Sequence, residues 1–418
     1  MAMELPSDDS YIKRSLEPVL RAAAGEFPAV TLCGPRQAGK TTLLRQLFGH
    51  THRYVSLEPP DVRAAAETDP RGFLARHPAP LILDEIQHAP GLLPFIKEAI
   101  DARPTEGGQY LLAGSRDLAL GATVAQALAG RAAALLLLPL ARREARAAPQ
   151  APLPWERPVA AAEGLPTESA TPNRWDLWHG ILRGGYPELA AGPGRSHARW
   201  HEAYLQTYFE RDVRSLRAIG DLTLFYACLR ALAARGGQLL NVTDLARDLG
   251  TAPNTVRGWI AVLEATCQVR IVRPWPGDVG RRLVRTPKLY FTDTGLLCHL
   301  VGLRDPEHAA AGPLGGALLR TAVLSELTRT LAHRGRDPAV WFLRASGGAE
   351  VDFLVEHEGG VVPLEVTLCA TPRPALGDAL RRLRALLGER CLPGYVVHPG
   401  VERLALGDGI TALPLEEL

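Results

Sequence analysis

Apolar residues recur along this chain in two alternating rhythms, continuous runs of strand length and longer stretches with helical spacing, and the alternation predicts an α/β architecture. Tyr11 to Ala24 has helical spacing. Runs at Ala29 to Cys33, Arg53 to Leu57, Pro80 to Asp84, Gln109 to Ala113 and Ala134 to Leu138 read as strands with helices between them. Such an alternation implies a parallel sheet with right-handed crossovers, which binds ligands at the carboxyl ends of its strands. From Glu144 to Arg174 repeated prolines break both rhythms, so this stretch is expected to be an exposed insertion or linker. Helical periodicity resumes from Trp175 to Gly236. Two short helices follow, Val242 to Gly250 and Asn254 to Glu264, at the spacing of a helix-turn-helix. Strand-like Val269 to Pro274 and the arginines Arg281, Arg282 and Arg285 then suggest a wing that meets phosphates. Beyond Ala309 the order becomes αβββαβ, with a helix at Leu314 to Arg334, strands at Ala339 to Leu343, Glu350 to Glu356 and Gly360 to Val366, a helix at Pro374 to Leu387 and a strand near Gly394 to His398. These changes divide the chain into residues 1–144, 145–174, 175–308 and 309–418.

The junction between the first strand and its helix carries the chemistry. Gly34-Pro35-Arg36-Gln37-Ala38-Gly39-Lys40-Thr41 satisfies GxxxxGK[ST], and Thr42 continues it into the helix TTLLRQLF. Glycines at both ends let the backbone wrap a phosphate chain with its N–H groups inward, and the helix N-terminus adds positive potential. Lys40 would reach the β- and γ-phosphates of ATP, and the Thr41 hydroxyl would ligate Mg²⁺. The third strand, Leu81-Ile82-Leu83-Asp84-Glu85, ends in two carboxylates and resembles a Walker B segment. There Asp84 would hold the metal shell and Glu85 would orient the attacking water. Ser115, after the next strand, is placed to sense the γ-phosphate or to make a plain Gly-Ser turn. Arg131 and Arg211 are candidates for a cationic finger, with a surface ion pair the alternative for each.

Composition narrows the class without changing this reading. Hydrophobic residues make up 46% and charged residues 22% of 418, with a net charge of +2, as in a soluble globular protein of two or three domains. That charge gives no general argument for nucleic acid, so any basic surface must be local. Ala132 to Ala141 is the longest apolar run; it is short for a membrane span and contains Pro139, so a buried strand and no membrane partner are expected. The polar first residues lack the pattern of a secretory signal, and a cytoplasmic protein is expected. Cys33, Cys228, Cys267, Cys298, Cys369 and Cys391 show no metal spacing and are expected to be reduced core thiols.

GPRQAGKTTL at Gly34 to Leu43, LDEIQ at Leu83 to Gln87, AGS at Ala113 to Ser115 and LAGR at Leu128 to Arg131 together resemble a group of predicted bacterial and archaeal AAA+ ATPases. GGYPE at Gly184 to Glu188, YFERDV at Tyr208 to Val213, KLYFTDTGLL at Lys288 to Leu297 and EVDFLVE at Glu350 to Glu356 resemble the C-terminal region of that group. The resemblance implies a P-loop AAA+ domain, a winged-helix module, a restriction-endonuclease-like domain and contacts between copies of the chain. Asp352 and Glu365 resemble the metal-binding half of a PD-(D/E)xK nuclease. Thr367, however, stands where that motif has lysine, no lysine follows Lys288, and Arg320 stands where relatives carry an acidic residue. A non-catalytic module is therefore expected. Three functions remain open: an ATPase that rearranges its C-terminal domains on DNA, an ATP-dependent switch that assembles with protein partners, and an ATP-gated nuclease.

Overall fold

The computed structural model describes residues 11–115, 126–157, 174–192, 194–209, 213, 219–277, 284–344 and 350–418. Five strands, β1 (Ala29–Gly34), β2 (Arg53–Ser56), β3 (Leu81–Asp84), β4 (Tyr110–Ser115) and β5 (Ala132–Leu136), form an all-parallel sheet in the order β2-β3-β4-β1-β5. Alternate side chains of the same strands face opposite ways. Leu81, Leu83 and Leu112 therefore join Phe73, Leu93 and Ile96 on one face, whereas Ile82, Leu111, Val30 and Leu32 join Leu16, Leu20, Leu43 and Leu47 on the other. The helices Pro70–Arg76 and Leu93–Asp101 cover the first face, and Glu17–Glu26 and Lys40–Phe48 cover the second. Because all five strands run the same way, the ends of β1, β3 and β4 share one edge.

The long apolar run differs from its expectation. β5 is an edge strand and only half-buried, while Leu137, Leu138, Leu140 and Ala141, just beyond it, are buried. In the stretch that follows, Ala145 to Ala148, Gln150 and Pro152 are exposed as expected of a linker, but from Leu153 the chain packs against the rest of the protein. Leu153 is buried, Glu156 pairs with Arg334 and accepts from Arg336 Nη1 at 2.8 Å, and the carboxylate of Glu144 is fully enclosed. Pro154 is buried at the start of a single 3-10 turn, Pro154–Glu156, so this proline-rich segment packs without a longer helix or strand. Residues 158–173 lie outside the described residues.

The remaining strands are β6 (Val269–Pro274), β7 (Lys288–Phe291), β8 (Trp341–Arg344), β9 (Glu350–His357), β10 (Gly360–Val366), β11 (Gly394–His398), β12 (Leu404–Gly407) and β13 (Ile410–Pro414). They make one mixed sheet in the order β12-β13-β11-β10-β9-β8-β6-β7. β6 is antiparallel to β7 and parallel to β8, so the strand after the two short helices Val242–Asp248 and Pro253–Ala265 belongs to the same sheet as the C-terminal strands. One apolar cluster runs from Leu153 and Leu177 through Trp259 and Leu296 to Leu324, Phe353 and Leu418. Described residues on both sides of the boundary expected near residue 308 thus share one sheet and one apolar cluster, and the described part of residues 174–418 is called the C-terminal body below. At its centre lies the helix Gly315–His333, buried on every side from Thr321 onward, where the charged Arg329 pairs with Asp293 and His333 meets Glu144.

No helix among the described residues is long and apolar enough to cross a membrane. Four of the six thiols are buried, but Cys33 is half-buried beside the phosphate loop and Cys369 is exposed, which corrects the expectation of six core thiols.

Three histidines have no exposed surface, His201, His333 and His398, and burial pushes each imidazole pKa down. A depressed imidazole pKa means that, as pH falls below the unfolded value of about 6.5, the unfolded chain takes up protons that the folded chain refuses. The melting temperature is therefore expected to fall as pH is lowered from about 7.5 to about 5.5. A melting temperature that rises across this interval would contradict neutral burial of these rings.

Candidate nucleotide site

The turn from β1 into the helix Lys40–Phe48 is closed by two glycines that no other residue replaces without movement. A Cβ on Gly34 would lie 1.9 Å from the Leu137 carbonyl oxygen, and Gly39 has a φ of 93° as the residue that caps the helix. Gln37 also adopts a positive φ, 60°, so residues 34–39 make a tight bend. Lys40 folds back over that bend, its Nζ donating to the carbonyl oxygens of Gly34 at 3.1 Å and Pro35 at 2.8 Å. Burial lowers the Lys40 pKa, and the carboxylates of Glu85 and Asp84 oppose that shift. The ammonium is therefore held near an acidic pair inside a loop built for anions.

β3 lies two places from β1, with β4 between them, yet Thr41 bridges the gap. Its hydroxyl donates to Asp84 Oδ2 at 2.6 Å. Tyr54, on β2, donates to the same oxygen at 2.9 Å, and the Glu85 N–H donates to Asp84 Oδ1 at 3.1 Å. Burial raises the Asp84 pKa, while the bonds from Thr41 and Tyr54 favour its charged form. A hydroxyl and a carboxylate side by side at the mouth of a phosphate cradle are the hard oxygen donors that Mg²⁺ takes, so the residues present fit that ion. Glu85 stands in the left-handed region, φ 57° and ψ 45°, where the chain leaves β3. That conformation is uncommon for a residue with a Cβ and turns its carboxylate away from the strand direction. The Gln87 side-chain amide donates to Glu85 Oε2 and holds the group there.

Comparisons with known proteins agree with this geometry. An AAA domain model matches residues 26–146, and models of two domains of unknown function, DUF8612 and DUF4143, match residues 174–307 and 315–418. The proteins named "Uncharacterized protein Rv2008c" of Mycobacterium tuberculosis and "Uncharacterized protein Mb2031c" of Mycobacterium bovis are each 31% identical over 402 residues, 96% of this chain and 82% of their own length. The chain belongs to their family. Its N-terminal domain is a P-loop, AAA-type ATPase domain. Among solved structures, the Walker-type ATPase PABY2304 of Pyrococcus abyssi aligns with a TM-score of 0.46 at 14% identity, over 72% of this chain and 99% of that one. A single-substitution variant of RuvB from Thermotoga maritima aligns with a TM-score of 0.29 at 17% identity, over 65% and 90%. Likenesses this low carry no argument.

Within this AAA-type domain the other candidate residues scatter. Ser115 ends β4 in register with Gly34, at the edge that carries the phosphate loop. Arg131 is not brought to its own chain's site. It precedes β5 at the opposite, amino-terminal edge of the sheet, where its Nε donates to Asp101 Oδ1 at 2.5 Å and its carbonyl accepts from Ala29. Arg211 lies outside the described residues. In the C-terminal body Asp352 and Glu365 do meet, on neighbouring strands β9 and β10, but Arg320 Nε donates to Asp352 Oδ1 at 2.8 Å and the Val366 N–H donates to Oδ2 at 3.0 Å. Burial, together with the charge of Asp352, pushes the Glu365 pKa well above the usual carboxyl range.

Sequence reasoning misses four residues at these sites. Tyr54 gives no signal, since a tyrosine in a strand reads as core. Gln87 is visible in LDEIQ, but nothing in the sequence gives it a part. Arg14 precedes the first helix, yet its Nη1 donates to the Ala38 carbonyl of the phosphate loop at 2.9 Å. Lys288 is hidden by its distance along the chain from the acidic pair. The mixed sheet brings it from β7 to an ion pair with Glu350, two residues from Asp352 on β9.

Proposed function

We propose that the chain hydrolyses ATP and that nucleotide state repositions the C-terminal body against the parallel-sheet domain. The observation that carries this reading is the Thr41–Asp84 hydrogen bond, which joins the end of the phosphate loop to the acidic end of β3. In it, the backbone of Gly34 to Thr42 wraps the triphosphate, Lys40 exchanges its loop carbonyls for phosphate oxygens, and Glu85 orients the attacking water and takes its proton. Thr41 and Asp84 are the residues that would hold Mg²⁺, which when bound neutralises phosphate charge. Ser115 is the proposed sensor of the terminal phosphate by its place beside Gly34. Assembly with further copies belongs to the same reading, with Arg131 or Arg211 reaching a neighbour's site, and it places the protein in the cytoplasm, where ATP is supplied.

DNA is the partner that the helix pair Val242–Asp248 and Pro253–Ala265 suits by its order, followed as it is by the β6–β7 pair. A second reading, a switch acting on protein partners, is favoured by the charges on that pair. Arg235 pairs with Asp248, Arg247 donates to Asp244 Oδ1 at 3.0 Å, and Arg257 donates to Asn254 Oδ1 at 2.7 Å. Those guanidiniums would have to leave local partners to meet phosphates. The nuclease reading has the weakest support, because Arg320 already pairs with Asp352 and burial disfavours the charged form of Glu365. Fluorescence anisotropy with labelled duplex decides between the first two. The DNA reading predicts binding whose affinity drops at least about tenfold between ~50 and ~200 mM salt. Duplex left unbound at the lower salt, with or without ATP, would give the site to a protein.

A further inference from the structure

Arg14 is 3% exposed, and each of its terminal nitrogens is committed to a different element. Nη1 donates to the Ala38 carbonyl in the phosphate loop at 2.9 Å, Nη2 donates to the Leu138 carbonyl just beyond β5 at 2.7 Å, and Nε lies 3.2 Å from Glu144 Oε2. Across a trans peptide the carbonyl and the following N–H point in opposite directions. A guanidinium that fixes the Ala38 oxygen on the outside of the loop therefore fixes the Gly39 N–H toward the inside, where a phosphate oxygen would lie. A Cβ on Gly39 would come within 3.6 Å of Arg14 Nη1 and 3.7 Å of Pro187 Cγ, so the back of the loop rests on this arginine and on the C-terminal body.

Glu144 holds the other end of the brace. Its Oε1 accepts from the Ser15 N–H at 2.7 Å and from His333 Nδ1 at 3.0 Å, and its Oε2 accepts from the Ala141 N–H at 2.8 Å. His333 is the last residue of the helix Gly315–His333, and its Nε2 accepts from the Leu138 N–H at 3.0 Å. That bond leaves the ring proton on Nδ1, so a neutral imidazole faces an ionised carboxylate. Burial lowers the His333 pKa accordingly, while for Glu144 burial is outweighed by its partners, which hold its pKa well below the usual range. A continuous chain of buried polar contacts thus runs from Ala38 through Arg14 and Glu144 to the central helix of the C-terminal body. The groups facing it are Ser15, Ala141 and Leu138 through their backbones and Arg329 through its charge.

We propose that Arg14 is a positioning residue for nucleotide binding, setting the Ala38–Gly39 peptide for phosphate contact, and that Glu144 and His333 make this setting depend on the C-terminal body. The proposal rests on the reading of residues 34–42 as a triphosphate cradle. Lysine at position 14 keeps a charge for Glu144 but has one nitrogen and no planar fork, so it cannot serve three elements together.

The test compares Mg²⁺-ATP binding, by titration calorimetry on the full chain, in wild type, Arg14→Lys, His333→Gln and Leu383→Ala. Leu383 lies in the separate apolar cluster against β9 and β11 and controls for lost stability. Arg14→Lys is expected to raise the Kd at least about tenfold and His333→Gln about threefold, while Leu383→Ala lowers the melting temperature and keeps the wild-type Kd. A wild-type Kd in Arg14→Lys overturns the proposal whatever its melting temperature. Should Arg14→Lys not fold, a wild-type Kd in His333→Gln overturns it equally. Wild-type protein that takes up no ATP would instead remove the nucleotide reading on which the proposal stands.

Discussion

Lys40→Ala is expected to raise the Kd for Mg²⁺-ATP by about 10- to 100-fold and to remove measurable turnover. The ammonium lies over the bend of the loop with its donors on the Gly34 and Pro35 carbonyls, 3.1 and 2.8 Å away. On the proposed reading those carbonyls exchange for phosphate oxygens when a triphosphate enters, and a charge-assisted bond contributes about 1.5–3 kcal/mol. Alanine removes both bonds and a positive charge held against Asp84 and Glu85, so two carboxylates would face a polyanion with less to offset them. Titration calorimetry on wild type and variant reads the change directly. Equal affinity in the two would mean that Lys40 belongs to a structural turn.

Glu85→Gln separates binding from chemistry. It leaves the Lys40 and Thr41 contacts in place, so ATP affinity is expected to stay within about threefold, a change of under about 1 kcal/mol. Turnover, measured by phosphate release, is expected to fall by about 10²- to 10⁴-fold, the range over which a positioned general base contributes. The strained turn at φ 57° and the Gln87 bond hold this side chain at the sheet edge. Undiminished phosphate release from Glu85→Gln would move the base elsewhere and leave Glu85 as a strand-end residue.

The parallel sheet was legible because its strands are short apolar runs between helical stretches, and all five appear within two residues of their expected bounds. The phosphate loop was legible for a stronger reason: glycine, lysine and threonine at fixed spacing leave the backbone few other shapes. The C-terminal body was harder to read. β7 is four residues long and lies inside a segment matched as a motif, while the hairpin of β12 and β13 turns at Gly-Asp-Gly with little apolar alternation on the first strand. Its union with the helical region depends on β6 pairing with β8 across 68 residues of sequence, as Arg273 does with Trp341. No local pattern encodes such a pairing. The Arg14 brace was hidden likewise: Arg14 falls in the stretch read as the first helix, where an arginine reads as surface, whereas that helix begins only at Glu17.

Arg131 and Arg14 show that residue type alone does not tell where an arginine lies. Arg131 sits in a sequence segment suggestive of catalysis, yet lies at the far edge of the sheet with Asp101. Arg14 sits in no motif and touches the phosphate loop. Topology assigned both, through the edge at which each strand or helix delivers its arginine.

One titration tests the central claim most directly, that residues 34–42 with Asp84 cradle a triphosphate. Wild-type protein titrated with ATP in the presence of Mg²⁺ should bind about one nucleotide per chain, with clearly weaker binding of AMP, which lacks the β- and γ-phosphates that Lys40 is proposed to reach. Heats at dilution level, or equal affinity for AMP and ATP, would contradict it.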